Sequence, residues 1–355
     1  MFEVELDEII VESFIRTCQV EITGRCNMKC QHCRAWQDDR VDMSFELYQK
    51  VLDFVEAGVR DDFRLTISGG EPFLHPNLIG FLNEAKQRNV NNIAITTNGS
   101  ICDKPLLQRI KKLNFNNLFI QVSIDSDAPH DHDKFRGHKN AYKKAMTFFD
   151  ITKELEINTS LRTSVTPKTI ARLESLCHLA LLKGAIRFGT SPIIPAGRGK
   201  NSDLTMGPID KLKFIQELAR CDAKFPSLEI TTEDPTKMAF GNGPWATCSE
   251  YTNTDGVYGG CTAGISSINV LASGDVTPCA VFDKKIMNLN LLSADEAMNI
   301  YVSSKVIKDL FSRNFSGRCG SCKLKRVCGG CRAVPYGLTG DYMGEDSTCF
   351  KGIHL

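Results

Sequence analysis

Cys26-Asn27-Met28-Lys29-Cys30-Gln31-His32-Cys33 places three thiols at C-x3-C-x2-C spacing directly after an apolar, strand-like segment at 18–23. Three thiolates on one tight loop supply three of the four ligands that a 4Fe-4S cluster ordinarily takes. The fourth iron is then open to a substrate or cofactor, whereas a structural or electron-carrying site closes its shell. Spacing alone also admits a zinc ion completed by His32, or three buried thiols. His32 lies between two of the cysteines, which makes ligation by all four side chains awkward.

The chain around this loop has 355 residues, 42% of them hydrophobic, and a net charge of +1. Such a chain can bury one large core and a smaller second one. Near-neutral charge gives no broad attraction to nucleic acid or to a membrane surface. The N-terminus, MFEVELDEII, lacks a basic flank and a long apolar core, and no apolar run reaches membrane-spanning length, so a cytoplasmic protein is expected. Fifteen cysteines without an export signal, grouped at ligand spacings, point to metal rather than disulfides. Cys18, Cys102, Cys177 and Cys221 stand outside those groups and read as small buried hydrophobes.

From Thr17 to about Thr190, short β-rich runs alternate with amphipathic segments of helical length. Strands are predicted at 18–23, 64–68, 92–97, 118–124, 158–165 and 185–189. Helices are predicted at 45–57, with Ser44 as N-cap and Gly58 as stop, and at 77–88, 104–112, 139–155 and 169–183. The alternation implies parallel strands with crossover helices, an α/β fold with its sites at the C-terminal strand ends. Counting alone leaves a doubly wound sheet open. Residues 1–16 form an N-terminal extension and 17–190 the βα unit. The proline- and glycine-rich stretch 191–200 interrupts the alternation, so 191–240 reads as linker and bridging helix (209–224). Residues 241–355 are rich in glycine and cysteine, with one long helix at 294–310 and a hairpin of 266–271 and 275–279 turning through Ser273-Gly274.

Three polar groups fall at predicted strand ends, and further candidates lie beyond them. Gly69-Gly70-Glu71-Pro72 follows the second strand, where two glycines permit close backbone approach and Glu71 accepts hydrogen bonds. Thr96-Thr97-Asn98-Gly99 ends the third strand, and Gln121-Val122-Ser123-Ile124-Asp125 the fourth; both also read as turn chemistry. In His132-Asp133-Lys134-Phe135-Arg136-Gly137, Arg136 offers a guanidinium suited to a carboxylate, or to an ion pair on the surface. Arg162, within the fifth strand, is a further candidate of the same kind.

The cysteine loop followed by GGEP resembles the radical S-adenosylmethionine (SAM) superfamily. The resemblance implies a partial (β/α)6 barrel and a 4Fe-4S cluster on Cys26, Cys30 and Cys33 whose open iron chelates SAM. It implies further that Gly69, Gly70 and Glu71 contact the SAM amino group, that Asn98 and Ser123 contact its ribose or carboxylate, and that His32 lines the adenine. Arg136 is the candidate clamp on its methionine end.

The C-terminal cysteines form a second array: Cys261-x12-Gly274-x4-Cys279, then Cys319-x2-Cys322-x5-Cys328-x2-Cys331 and x17-Cys349. No histidine is interspersed among them, and seven thiols at such spacings suit iron-sulfur clusters better than zinc. The array resembles the SPASM domain of peptide- and protein-modifying radical SAM enzymes. By position in that motif, one auxiliary 4Fe-4S cluster uses Cys261, Cys279 and Cys331, with Cys248 the preferred fourth ligand or a hydrogen-atom donor. The other uses Cys319, Cys322, Cys328 and Cys349. The Cys328–Cys331 spacing is one residue shorter than the commonest form of the motif.

The resemblance implies reductive cleavage of SAM to a 5'-deoxyadenosyl radical, which abstracts hydrogen from a substrate C–H bond. The first expectation for the substrate is a ribosomally made peptide, given a thioether or carbon-carbon crosslink. Only 25 residues precede Cys26, so a separate peptide-recognition protein or direct capture is expected. The alternative is small-molecule oxidation: dehydrogenation of an aminocyclitol alcohol or decarboxylation of a tetrapyrrole side chain. Sulfatase maturation is disfavoured because Ala280 stands where such relatives carry an aspartate base. A non-catalytic electron carrier needs neither an open iron nor GGEP. By analogy, a low-potential flavodoxin or ferredoxin is the expected reductant. Trp36, Trp245, Tyr251 and Tyr258 are candidate channel residues that read equally as core.

Overall fold

Strands buried on both faces require near-continuous apolar runs, and Ile93-Ala94-Ile95 and Phe119-Ile120 are such runs at the centre of the sheet. The computed structural model describes residues 1–6, 9–34, 41–200, 203–240 and 259–353; Cys248, Trp36, Trp245, Tyr251 and Tyr258 lie outside them. The described strands are β1 (Phe2–Glu5), β2 (Ile10–Ser13), β3 (Ile15–Thr23), β4 (Val59–Gly69), β5 (Asn92–Thr97), β6 (Asn117–Ser123), β7 (Asn158–Val165), β8 (Arg187–Pro192), β9 (Glu229–Thr232), β10 (Ser267–Val270), β11 (Asp275–Thr277) and β12 (Met287–Asn288). The helices are α1 (Phe45–Glu56), α2 (Leu78–Gln87), α3 (Lys104–Lys112), α4 (Pro129–Arg136), α5 (Ala141–Glu154), α6 (Leu173–Leu182), α7 (Pro208–Lys224), α8 (Ala294–Ser303), α9 (Lys305–Ser312), α10 (Gly317–Gly320) and α11 (Ala333–Thr339).

One sheet of ten strands runs in the order β12-β11-β10-β3-β4-β5-β6-β7-β8-β9. Strands β3 to β9 pair in parallel in chain order. A doubly wound sheet reverses its strand order at a switch point; this one does not, so its crossovers all wind the same way. Every C-terminal strand end from β3 to β9 therefore opens on one side. Among the described residues no helix is long and apolar enough to cross a membrane.

Local chemistry explains the element boundaries. Ser44 caps α1 by accepting from the Leu47 N–H at 3.1 Å, and the buried face of that helix stacks Tyr48 on Phe81 of α2 at 4.4 Å between ring centroids. Four features depart from the sequence reading. The sixth strand starts later than predicted and runs to Pro192, and β9 adds a seventh parallel strand inside the segment read as linker. The helix predicted at 294–310 is two helices, α8 and α9, because Ser304 adopts an extended backbone (φ −60°, ψ 132°) between them. Residues in the predicted extension form the β1–β2 hairpin, whose Phe2 meets Tyr301 and Phe311 edge-on at 5.7 and 6.4 Å.

The cysteine-rich part continues the sheet. Strand β10 pairs in parallel with β3 and antiparallel with β11, with Gly274 at φ +86° in the turn between β10 and β11. At the opposite edge, Lys211 of α7 forms a fully buried ion pair with Asp234, just past β9. Asp234 also accepts from the Thr236 N–H and hydroxyl, which fixes the chain leaving the last parallel strand.

Candidate active site

Each loop at the open face is pinned by its neighbours' backbone. The Gly70 N–H donates to the Thr23 carbonyl at 2.7 Å and the Glu71 N–H to that of Arg25 at 2.8 Å, which joins the end of β4 to the base of the cysteine loop. A Cβ on Gly70 would lie 2.2 Å from the Arg25 oxygen, so only glycine fits there. Gly69 ends β4 in register with Thr23. The close approach that the glycine pair permits is thus, first, an approach to the cysteine loop itself.

Glu71 is fully buried beneath that junction. Its carboxylate accepts from the Asn98 N–H and the Thr97 hydroxyl, both at 2.7 Å, and from the Phe73 N–H at 3.2 Å. Burial pushes its carboxyl up to about 7 against those three hydrogen bonds and the Arg136 charge. Raised above its ordinary value of 4.5, the group favours the folded state most at low pH, and that contribution fades as pH rises toward 7. The linkage is on the order of 3 kcal/mol. Gln at this position mimics the protonated acid, so Glu71→Gln is expected to flatten the stability profile between pH 4.5 and 7 in denaturant titrations. Parallel profiles for the two proteins would refute this account of Glu71.

The Asn98 amide, at the end of β5, donates to Asn27 Oδ1 at 2.9 Å and lies 3.9 Å from Cys26 Sγ, while its Oδ1 accepts from the Ser100 N–H. Ser123 closes β6 opposite Arg162 of β7 and is buried. Arg136, at the C-terminus of α4, is also buried. Its Nε stands 2.6 Å from Asp125 Oδ2, out of line for a hydrogen bond, and its Nη1 is 3.9 Å from Cys30 Sγ. The guanidinium is thus committed to an internal carboxylate and a cluster-loop sulfur. The first half of the same motif is structural: Asp133 accepts from the Asn140 and Tyr142 N–H groups at the start of α5.

The His32 ring stacks on Phe135 at 4.7 Å and its Nε2 meets the Ser164 hydroxyl at 3.2 Å. Burial, reinforced by the charges of Arg136, Arg162 and Arg198, lowers the imidazole to about 4 although Asp125 opposes this, so the ring is neutral near pH 7. Its Nδ1 is buried with no protein partner. These contacts turn the ring toward β7 and away from a shared metal with the cysteines. Among the described residues no three His, Cys, Asp or Glu side chains converge closely enough to hold a single ion. Cys26, Cys30 and Cys33 nevertheless lie within electrostatic range of one another. That spread suits a multi-iron group rather than zinc with ligands near 2.3 Å.

Sequence reasoning missed two contributors. The 191–200 stretch, read as a boundary, docks on the cysteine loop: the Arg198 N–H donates to the Cys33 carbonyl at 3.1 Å, and a Cβ on Gly197 (φ +52°) would lie 2.5 Å from the Arg34 oxygen. Glu233, directly after β9, holds Arg162 in a bidentate pair at 2.6 and 2.8 Å, yet its side chain is 64% exposed at the open face. The signal was a β-branched run, Ile230-Thr231-Thr232, ending in Glu233-Asp234, the pattern already noted at Ser123-Ile124-Asp125.

Beyond Glu233 lie the C-terminal thiols. Cys261, Cys279 and Cys331 stand within electrostatic range of one another, and Cys279 within range of Glu233. Cys319, Cys322, Cys328 and Cys349 together line a separate cavity of about 240 Å³. Backbone N–H groups of Leu324, Gly330 and Asp346 point at the sulfurs of Cys322, Cys328 and Cys319, each at 3.4 Å. Four sulfurs with peptide donors around one cavity fit an iron-sulfur cluster.

Comparison with known proteins agrees with this chemistry. Residues 20–180 match the Radical SAM superfamily model. The chain is 25% identical to the AdoMet-dependent heme synthase of Methanosarcina barkeri, over 93% of this chain and 94% of that enzyme. It is 27% identical to the antilisterial bacteriocin subtilosin biosynthesis protein AlbA of Bacillus subtilis, over 88% of this chain and 66% of AlbA. In fold it is similar to Streptococcus suis SuiB bound to S-adenosylmethionine, with a TM-score of 0.74 at 17% identity over 95% of this chain and 77% of SuiB. Residues 20–180 are a radical SAM domain. The protein is an enzyme built on that domain, and its cofactors are SAM and 4Fe-4S clusters.

Proposed function

We propose that this enzyme oxidatively modifies a ribosomally made peptide, forming a thioether or carbon-carbon crosslink. In this reading Cys26, Cys30 and Cys33 hold the SAM-binding cluster in a partial (β/α) barrel, and the C-terminal thiols hold two auxiliary clusters in a SPASM domain. Cys261, Cys279 and Cys331, with Cys248, hold one; Cys319, Cys322, Cys328 and Cys349 hold the other. The observation that carries the proposal is the position of Glu233, at the open strand-end face and within range of Cys279. It supports the reading in which an electron acceptor sits beside the place where a substrate meets the cysteine loop, as a net oxidation requires.

When bound, SAM and its cluster supply a radical able to take hydrogen from an unactivated C–H bond. The chain's own residues position the reactants. Gly69, Gly70, Asn98 and Ser123 border the SAM site, and His32 offers its buried Nδ1 and ring toward the adenine. Glu71 and Arg136 act beneath them, holding the loops in register. Arg162 and Glu233 present a matched pair of charges to the polar groups of the substrate. A low-potential flavodoxin or ferredoxin supplies electrons, and a separate recognition protein or direct capture delivers the peptide.

A second reading, decarboxylation of a tetrapyrrole side chain, is favoured by coverage: the match to the M. barkeri heme synthase spans 94% of that enzyme, against 66% of AlbA. The two are separated by incubating anaerobically reconstituted protein with SAM, dithionite and either a candidate precursor peptide or an iron coproporphyrin. Peptide that loses two hydrogens, with 5'-deoxyadenosine formed in step, supports the first reading. Carbon dioxide release from the porphyrin with unchanged peptide replaces it with the second.

A further inference from the structure

The two groups of C-terminal thiols share two carboxylates: Asp234 and Asp346 face Cys331 of the inner group and Cys328 of the outer, and Asp346 also faces Cys349. Around the inner group, Cys279 faces Glu233, and Cys331 faces Asp234 and Asp346, its N–H donating to Asp346 Oδ2 at 2.8 Å. Cations stand on that side too, Lys211 facing Cys331 and Arg313 facing Cys261, each also held by other partners. Lys211 is paired with Asp234, and Arg313 donates to the carbonyls of Gly259, Cys261 and Lys325.

Around the four-thiol cavity, charged donors point at sulfur. Arg332 Nη2 lies 3.7 Å from Cys319 Sγ, but this side chain is buried, with Nη1 donating to the carbonyls of Tyr342 and Gly344 and its guanidinium 4.1 Å from the Phe315 ring. Its first duty is to hold the fold. Lys351 is exposed and belongs to no helix or strand. Its Nζ reaches Cys322 Sγ at 3.4 Å while its backbone N–H faces the Cys349 sulfur. One residue therefore serves two thiols of the cavity, and a positive charge closes its solvent side.

We propose that Lys351 is a potential-setting residue: its ammonium raises the reduction potential of the cluster held by the four-thiol site. The proposal rests on the cluster reading given above. Reduction adds one negative charge to a cluster, so a cation at hydrogen-bond distance from its sulfur stabilises the reduced form.

The test is an EPR-monitored redox titration of the anaerobically reconstituted full chain. Wild type is compared with Lys351→Arg, Lys351→Gln and Lys351→Glu, and the outer signal is assigned by its loss in Cys319→Ala/Cys322→Ala. The expected result is a shift of the outer signal to more negative potential in Gln and further in Glu, with Arg close to wild type and the other signals unmoved. Should Glu expel the cluster, Gln decides. An outer potential unchanged in Gln at full iron content overturns the role of Lys351. Iron content in wild type no higher than in the double cysteine variant overturns the cluster reading itself, and the proposal with it.

Discussion

Replacing Cys26, Cys30 and Cys33 together with alanine is expected to abolish 5'-deoxyadenosine formation from SAM while leaving the C-terminal thiols loaded with iron. The separation follows from the architecture. The loop is held by backbone contacts from Gly70, Glu71, Phe135, Arg136 and Arg198, none of which needs a thiol. Of the three side chains only Cys30 is buried, so the variant removes ligands without emptying a core. The C-terminal cavity is lined by its own cysteines and closed by Arg332, Asp346 and Lys351. Iron and sulfide assays paired with product analysis check both halves. Residual 5'-deoxyadenosine in the triple variant would move the SAM site elsewhere, and loss of all iron would mean that the two regions fold as one metal-dependent unit.

Arg136→Met is expected to destabilise the protein by about 3–5 kcal/mol, the usual cost of leaving one member of a buried ion pair alone. Asp125 is buried, and burial alone would push its carboxyl up. Arg136 first, then His32 and His132, more than offset this and hold it below the usual carboxylate range. A lowered carboxyl contributes stability at pH above its ordinary value, and that contribution is lost as pH falls through the folded-state value. The penalty for Arg136→Met is therefore largest near neutrality and shrinks in acid, where the stranded Asp125 is protonated. Asp125→Asn in the same chain should recover much of the loss, because no charge is then left unpaired. Denaturant unfolding of the three proteins at pH 7 and pH 4 reads this directly. Equal penalties at the two pH values, or no recovery in the double variant, would show that the Arg136–Asp125 pair does not carry the effect. Arg136 Nη1 also lies 3.9 Å from Cys30 Sγ, so weaker iron retention at the first loop should accompany the loss of stability.

Where local chemistry sets the structure, the residues announce it. Asn92–Thr97 and Asn158–Val165 are strands over the predicted residues, and Ser44 caps α1 as its hydroxyl allows. The alternation of strands and helices was legible, but the choice between a singly and a doubly wound sheet was not, since both produce it. Strand order resolves the choice. Strand β9 escaped notice because four residues, two of them threonine, carry little apolar periodicity.

The same divide runs through the site. Ligand spacing exposes the cysteines, but no spacing rule reveals that Glu233 reaches back to Arg162, or that the proline- and glycine-rich stretch presses on Cys33. Composition marks that stretch as a turn without saying what it touches. The sequence leaves Arg136 open as a ligand clamp or a surface ion pair; its buried partner, Asp125, lies on a different element and only the fold brings the two together.

In the proposed function, three groups of thiols hold three iron-sulfur clusters, one of them the SAM-cleaving one. Iron and acid-labile sulfide per chain in the anaerobically reconstituted protein test it most directly. About three 4Fe-4S equivalents, falling to about two in the Cys26/Cys30/Cys33 alanine variant, is the result the account predicts. Zinc in place of iron, or a count that the triple variant leaves unchanged, would contradict it.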